Sequence, residues 1–258
     1  MREKFVLEKC RKSAIVQVLP DDAERIHPPE DPSLPQPGQD RSLFDALVEF
    51  RSVLYPDGEV DGQENDLDRS EQFQRIEAEA CRLGILYDLL EPTVEGGREH
   101  DLIYDDATGT VLKFTKPSSA AYVVEFLEGK PRLSNGEPLE YLERLILHNE
   151  VFGDFTDFVG IGGVPNNRRI ITRQETVIGR EAGWEEIIRL MVDELGFTKL
   201  PHNFGIGYKD SYAFIRENVA VFDMRPANVF MTELGVLIAV DSIPVRLLPG
   251  ERESFGRG

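Results

Sequence analysis

The sequence predicts an α+β fold in two lobes, not an alternating β-α-β chain. Three observations carry that expectation. Short apolar runs of strand-like composition come in pairs joined by turn residues. In the blocks between those pairs, apolar residues recur at helical spacing. The last pair of runs delivers carboxylates to one end of a hairpin. The 258 residues suffice for one large domain or two lobes with a sizeable core.

In chain order, Ala14-Ile15-Val16-Gln17-Val18 is a candidate strand. Residues 20–41 are rich in proline and acids and read as linker or disorder. Leu43, Leu47, Phe50 and Leu54 mark a helix with Ser42 as N-cap, free to dock on the main domain or on a partner. Residues 56–69 are a second, acidic linker. A longer helix is expected over Ser70–Leu90, with Phe73, Ile76, Ala80, Leu83 and Leu86–Leu90 near one face and Cys81 in the core. Gly96-Gly97 is a turn. Strands follow at 101–104 and 110–114, joined by Asp105–Gly109. Residues 117–137 give no clear pattern. Pro138–Phe152 reads as a helix with its proline in the first turn and Leu139, Leu142, Leu145, Ile146 and Val151 inward. Strands at 158–161 and 169–172 flank the turn Pro165-Asn166-Asn167, and a helix over Trp184–Leu195 buries Ile187, Ile188 and Met191. This order sets an N-terminal extension at 1–69, partly disordered, and a main domain at 70–258, with lobes at about 70–173 and 177–258.

Composition narrows the function. A net charge of −18 argues against nucleic acid as partner, since phosphate backbones need clustered Lys and Arg. No run approaches a membrane span, and no apolar segment follows the charged N-terminus as in a signal peptide. Two cysteines, Cys10 and Cys81, fit a reducing compartment, hence the cytoplasm. Four scattered histidines give no zinc spacing, and no G-x-S-x-G elbow points to serine hydrolysis.

The most selective local signal is Asp223-Met224-Arg225-Pro226-Ala227-Asn228, followed by Asp241 at the end of the apolar run Val236–Val240. Strand 220–222 leads in, 229–231 leads out, and Thr232–Gly235 turns the chain into 236–240. Asp223, Asn228 and Asp241 then meet at one end of a hairpin. Such an array suits phosphate chemistry on a magnesium nucleotide: one carboxylate takes a hydroxyl proton, while an amide oxygen and a second carboxylate hold metal. Arg225 can neutralise phosphate charge or fix a loop carboxylate.

Upstream, Lys113 lies inside the apolar strand Val111–Phe114. Pointing into a nucleotide cleft, it would contact phosphates and pair with a glutamate of the next helix. That helix offers Glu140, Glu143 and Glu150; either of the last two can reach, and Glu150 is favoured. The amides of Gly96 and Gly97 can approach phosphates, though this is not a G-x-G-x-x-G loop. Gln174-Glu175-Thr176, after strand 169–172, would join the lobes and hold a base through backbone groups. His100 reads as structural rather than as a phosphate contact.

Together, Gly96–His100, Lys113–Pro117, Tyr141–Leu145, Asn149–Asp154, Ile171–Gln174, Phe222–Val229 and Val240–Pro244 resemble the kinase-like domain of bacterial and phage polyvalent proteins. The resemblance spans roughly residues 75–247 and implies a protein-kinase-like fold with ATP- and Mg²⁺-dependent phosphotransfer. It makes Lys113 the phosphate-contacting lysine, Asp223 the catalytic aspartate, and Asn228 and Asp241 the metal ligands. The sequence departs from common kinases in two places: Val221-Phe222 precedes the aspartate, and Ser242-Ile243 follows Asp241. The 17 residues after Asp241 predict no activation segment, and leave the acceptor as a protein or a small molecule. A catalytically silent binding module and a nucleotidyl transferase are the alternatives.

Overall fold

A computed structural model describes residues 34–36, 38–56, 67–117, 119–153 and 156–255. The candidate strand 14–18, the 20–33 part of the proline-rich segment and the centre of the 56–69 linker lie outside them. Helix α1 (Leu43–Leu54) starts at Ser42, whose hydroxyl accepts from the Asp45 amide. Its inward residues Leu43, Ala46, Leu47, Phe50 and Leu54 follow the helical period. Helix α2 (Arg69–Leu83) opens with an Asp68–Glu71 capping box and ends at Gly84, which is left-handed.

That left-handed residue corrects the expected helix over Ser70–Leu90. The chain turns out of the helix, and Leu86–Tyr87 becomes strand β1. Cys81 is exposed, not in the core: α2 buries Phe73, Ile76 and Ala80, and Cys81 lies a further 100° round the helix from Ala80.

Strands β2 (His100–Asp105) and β3 (Thr110–Thr115) form a hairpin. Its turn is tied by Asp105 Oδ1, which accepts from the amides of Ala107 (3.1 Å) and Thr108 (3.3 Å). Residues 117–137, without a pattern in sequence, hold a second hairpin, β4 (Tyr122–Leu127) and β5 (Lys130–Asn135). Glu128 and Gly129 both adopt positive φ at its two-residue turn. Helix α3 (Pro138–Phe152) keeps the predicted bounds. Strands β6 (Asp157–Gly162) and β7 (Arg169–Glu175) complete a five-stranded sheet ordered β1-β6-β7-β3-β2, antiparallel except for β1 on β6.

One face of this sheet packs on all three helices: Phe158, Ile161 and Ile170 meet Phe50, Ile76, Tyr141 and Leu142 in one core. Phe50 stands edge-on to Phe158 at 5.3 Å. Helix α1 therefore shares the core of the main domain, and Arg51 pairs with Glu143 of α3 at 2.5 Å. The sheet's other face buries Ile103, Leu112, Phe114, Val159 and Ile171.

Beyond β7 come β8 (Gly179–Glu181) and a helix α4 (Trp184–Ile188) that widens into π-helical turns over Arg189–Glu194. The widening buries Leu190 with Ile187 and Met191 and leaves Ile188 half-buried, unlike the regular helix expected there. After β9 (Thr198–Lys199), strands β10 (Tyr212–Arg216), β11 (Val219–Met224) and β14 (Ile243–Arg246) form a sheet ordered β14-β11-β10-β9. Strands β12 (Val229–Thr232) and β13 (Leu237–Ala239) pair beside β8. β11 is covered on both sides. Val219 and Val221 pack towards Ile187 and Met191, whereas Ala220 and Phe222 pack towards Leu200, Ile206 and Phe255. A strand this rigid fixes what its C-terminal end carries, which is Asp223.

Candidate active site

A cleft of about 740 Å³ is lined by residues of β2, β3, the end of β7, the Gly207–Lys209 turn and the β11–β14 region. Lys113, Asp223, Asn228 and Asp241 all line it. Residues from Gly97 to Ile243 thus converge on one concave surface of the size ligand sites occupy.

Asp223 adopts φ +55°, rare for a residue with a side chain. Its Oδ1 accepts from the Tyr208 amide (2.7 Å) and its Oδ2 from Asn228 Nδ2 (2.9 Å). Asn228 Nδ2 also donates to the Asp223 carbonyl at 2.8 Å, so the short turn Pro226–Asn228 folds back on the aspartate. With its nitrogen so used, the asparagine keeps its oxygen as acceptor. Gly207, at φ +76°, lies under Asp223; a Cβ there would stand 2.3 Å from Oδ1. Arg225 Nε is 3.5 Å from Asp223 Oδ2, and its guanidinium lies 5.4 Å from the Tyr208 ring centre. The backbone amide of Val240 donates to the Asn228 carbonyl (2.9 Å), which brings Asp241 beside this turn.

On the opposite wall, Lys113 Nζ donates to the Val240 carbonyl at 3.1 Å. No glutamate of α3 reaches it. Glu150, the expected partner, lies on the surface bound to Arg246 (2.7 Å), each side chain 55 % exposed. Glu143 meets Arg51, and Glu140 accepts from the Glu137 amide. The expected Lys113–Glu150 pair is therefore corrected: the α3 residue that lines the cleft is Arg144, with Tyr141 and His148 buried near it on the helix, while Glu150 is exposed with Arg246.

Arg144 is the group that sequence reasoning missed. Buried on α3, it donates to both oxygens of Glu99 (2.9 and 3.1 Å) and to the carbonyls of Tyr122 (2.6 Å) and Ser242 (3.2 Å). It also stands 3.6 Å from Asp241 Oδ1. His100 is buried and its Nε2 meets the Tyr141 hydroxyl at 2.8 Å. Desolvation pushes the pKa of His100 down, and that of His148 to about 3, where Lys113 and Arg144 add to the effect. Both rings are neutral at pH 7. For Asp241, desolvation works upward but the charge of Lys113, with that of Arg144, outweighs it, and the carboxylate titrates below its usual range.

The glycine pair divides. Gly97 lines the cleft. Gly96 does not: its amide donates to Asp101 Oδ1 (3.1 Å), and a Cβ would stand 2.2 Å from the His100 carbonyl oxygen. Its role is a close backbone approach, which corrects its reading as a phosphate contact. Asp101 is also bound by Lys116 and by Arg169 (2.6 Å). Against desolvation, these partners and the Gly96 amide hold its pKa at about 2. Gln174 and Glu175 end β7 and line the cleft, with Leu102, Val111 and Phe230 as apolar neighbours.

The donor set suits a divalent metal and phosphates. An amide oxygen and a carboxylate 43 % exposed to the cleft are hard oxygen ligands, with a lysine beside them. A strand ending in an aspartate, an asparagine five residues on, and a second aspartate after a hairpin, all facing a strand lysine, define a protein-kinase-like domain. The chain belongs to the family described as Serine/Threonine/Tyrosine Kinase found in polyvalent proteins, whose model matches residues 86–245. No curated protein and no solved structure matched. Among the described residues no helix is long and apolar enough to cross a membrane.

Proposed function

We propose that this kinase-like domain is an ATP- and Mg²⁺-dependent phosphotransferase acting on a hydroxyl of a protein or small molecule. The observation that carries this reading is the meeting of Asp223, Asn228, Asp241 and Lys113 in one cleft. The five-stranded sheet with its helices would form one lobe and the β8–β14 region the other, with Gln174–Thr176 between them. Leu102, Val111 and Phe230 would hold the base, beside Gln174 and Glu175.

Asn228 and Asp241 would ligate magnesium. Bound MgATP would supply the transferable phosphoryl group and neutralise charge that develops on it. Lys113 lies where its ammonium can shift from the Val240 carbonyl to a phosphate oxygen. Asp223 would orient the acceptor hydroxyl and take its proton as the new P–O bond forms and the bond to the ADP oxygen breaks. Tyr208 and Asn228 hold the carboxylate by one oxygen each, and the lone pairs that remain can meet the hydroxyl. Arg225 beside it adds positive charge. The overall acidity argues against nucleic acid as acceptor, and two cysteines in the whole chain suit the cytoplasm.

Calorimetric titration with ATP, with and without Mg²⁺, tests the reading on the native chain and on Asp241→Ala. Metal-dependent binding lost in the variant is expected; no binding to the folded native chain overturns the proposal. The fixed turn at Gly96 favours one competitor, a silent binding module, which would bind nucleotide without turnover.

A further inference from the structure

Asp241 is held in an unusual way. Its carboxylate is open to the cleft, while the residues on both sides of it are tied through their carbonyls: Val240 to Lys113 (3.1 Å) and Ser242 to Arg144 (3.2 Å). The two cations thus fix the backbone around Asp241 without closing over its oxygens, the nearest approach being Arg144 at 3.6 Å. Arg144 also donates to Glu99 with both arms and to the Tyr122 carbonyl. One guanidinium, 5 % exposed, therefore joins four segments: the loop before β2, the start of β4, helix α3 and residues 241–242.

Only arginine can do this. Its planar fork offers five donors in fixed directions, where lysine offers a point charge. The three carboxylates that α3 could present to Lys113 are committed to Arg246, Arg51 and the helix N-terminus. The helix contributes a cation instead, and Glu99, from outside the helix, contributes the carboxylate.

We propose that Arg144 is a positioning residue for the metal-binding segment: with Glu99 as its anchor, it sets where Asp241 presents its oxygens and links that position to α3 and to the loop before β2. The proposal rests on the phosphotransferase reading for the identity of the metal, Mg²⁺, but the tie itself is independent of it. Outer partners that orient a metal ligand are worth about 10–100-fold in metal affinity.

Two variants test it. Arg144→Lys keeps the charge and loses the fork. The double variant Glu99→Leu/Arg144→Met removes the buried pair together, a replacement by apolar groups that cores tolerate where a half-broken pair does not. The first measurement is amide exchange across residues 240–243 in the full chain without nucleotide. Faster exchange there in each folded variant, with β6 and β7 unchanged, is expected; unchanged protection overturns the proposal whatever the chain does with ATP. The second is calorimetry of ATP over a range of Mg²⁺ concentrations. About 10–100-fold more Mg²⁺ should be needed, while metal-free nucleotide affinity stays as in the native chain. A variant that exchanges faster throughout and needs no more Mg²⁺ would reduce Arg144 to a packing residue. If the native chain binds no MgATP, the phosphotransferase reading fails alone, and the exchange result still decides for or against Arg144.

Discussion

The two walls of the cleft are built on opposite plans. The wall that carries Asp223 and Asn228 is held by backbone: a strand covered on both faces, a short turn that folds an asparagine back on the preceding aspartate, and a hairpin that leads to Asp241, where the two walls are tied together. The wall that carries Lys113, Glu99 and Arg144 is held by charges from distant parts of the chain, with Arg144 and Ser242 separated by 98 positions. The first wall spends local geometry to aim reactive groups. The second uses ion pairs in a dehydrated setting, where a complete network is rigid and a broken one is costly.

The largest expected effect separates chemistry from scaffold on the first wall. Asp223→Ala should lower phosphotransfer by about 10²–10⁴-fold. Stability should fall by about 1–3 kcal/mol, because the Tyr208 amide and Asn228 Nδ2 lose their acceptor and alanine tolerates the left-handed backbone less well than aspartate. Turnover and thermal unfolding of the native chain and the variant check both halves. Retained turnover would move the hydroxyl's partner elsewhere. Next in size, Gly207→Ala should cost roughly 1–3 kcal/mol, since it meets positive φ and the Asp223 side chain at once. Urea unfolding measures this. A variant as stable as the native chain would show that the backbone plan of this wall is looser than described.

How much of each wall was legible in the sequence follows from the same contrast. Asp223, Asn228 and Asp241 lie within one turn and one hairpin, so their spacing alone brought them together, and the helix bounds of α3 were legible from Pro138 and its apolar repeat. The phase of α3 was not. Apolar residues alone place Leu145 and Ile146 inward, and both are half-buried. The buried polar edge of α3 is Tyr141, Arg144 and His148, three groups at i, i+3 and i+7 of which Arg144 lines the cleft. A buried arginine leaves no apolar signal; the clue available was that three polar side chains share helical spacing with Leu142 and Val151. The β4–β5 hairpin was missed because the Glu128-Gly129 turn is flanked by strands that carry Glu125, Lys130 and Arg132. The end of α2 at Gly84 overrode an apolar run that continues to Leu90.

Acid should weaken the second wall. His100 and His148 have folded pKa values below their usual range, so in this pair it is the unfolded chain that takes up protons first as pH falls. Their contribution is fully present above about pH 6.5 and is lost as pH falls from there towards the folded pKa, about 3 for His148. At pH 5.5 the loss from His148 should be about 1 kcal/mol, and His100 adds to it in the same direction. Urea unfolding at pH 7.5 and 5.5 reads the sum, and His148→Gln should shrink the difference. Equal stability at the two pH values would mean that the rings are charged in the folded chain, and the neutral setting described for this wall would fall.

The smallest effect gives the sharpest view of the second wall. Glu150 was the carboxylate that the sequence favoured as partner of Lys113, and in the structure it faces solvent with Arg246. Exposed pairs of this kind contribute about 0–1 kcal/mol. Glu150→Gln should therefore leave unfolding within that range and leave ATP affinity and turnover as in the native chain. A large loss of turnover with unchanged stability would require α3 to rotate during the reaction and exchange Arg144 for Glu150 at the cleft. The ion pairs of Arg144 would then describe a resting arrangement, and the difference between the two walls would be one of mobility: a fixed wall for the hydroxyl, and a wall that rebuilds its charges around the phosphates.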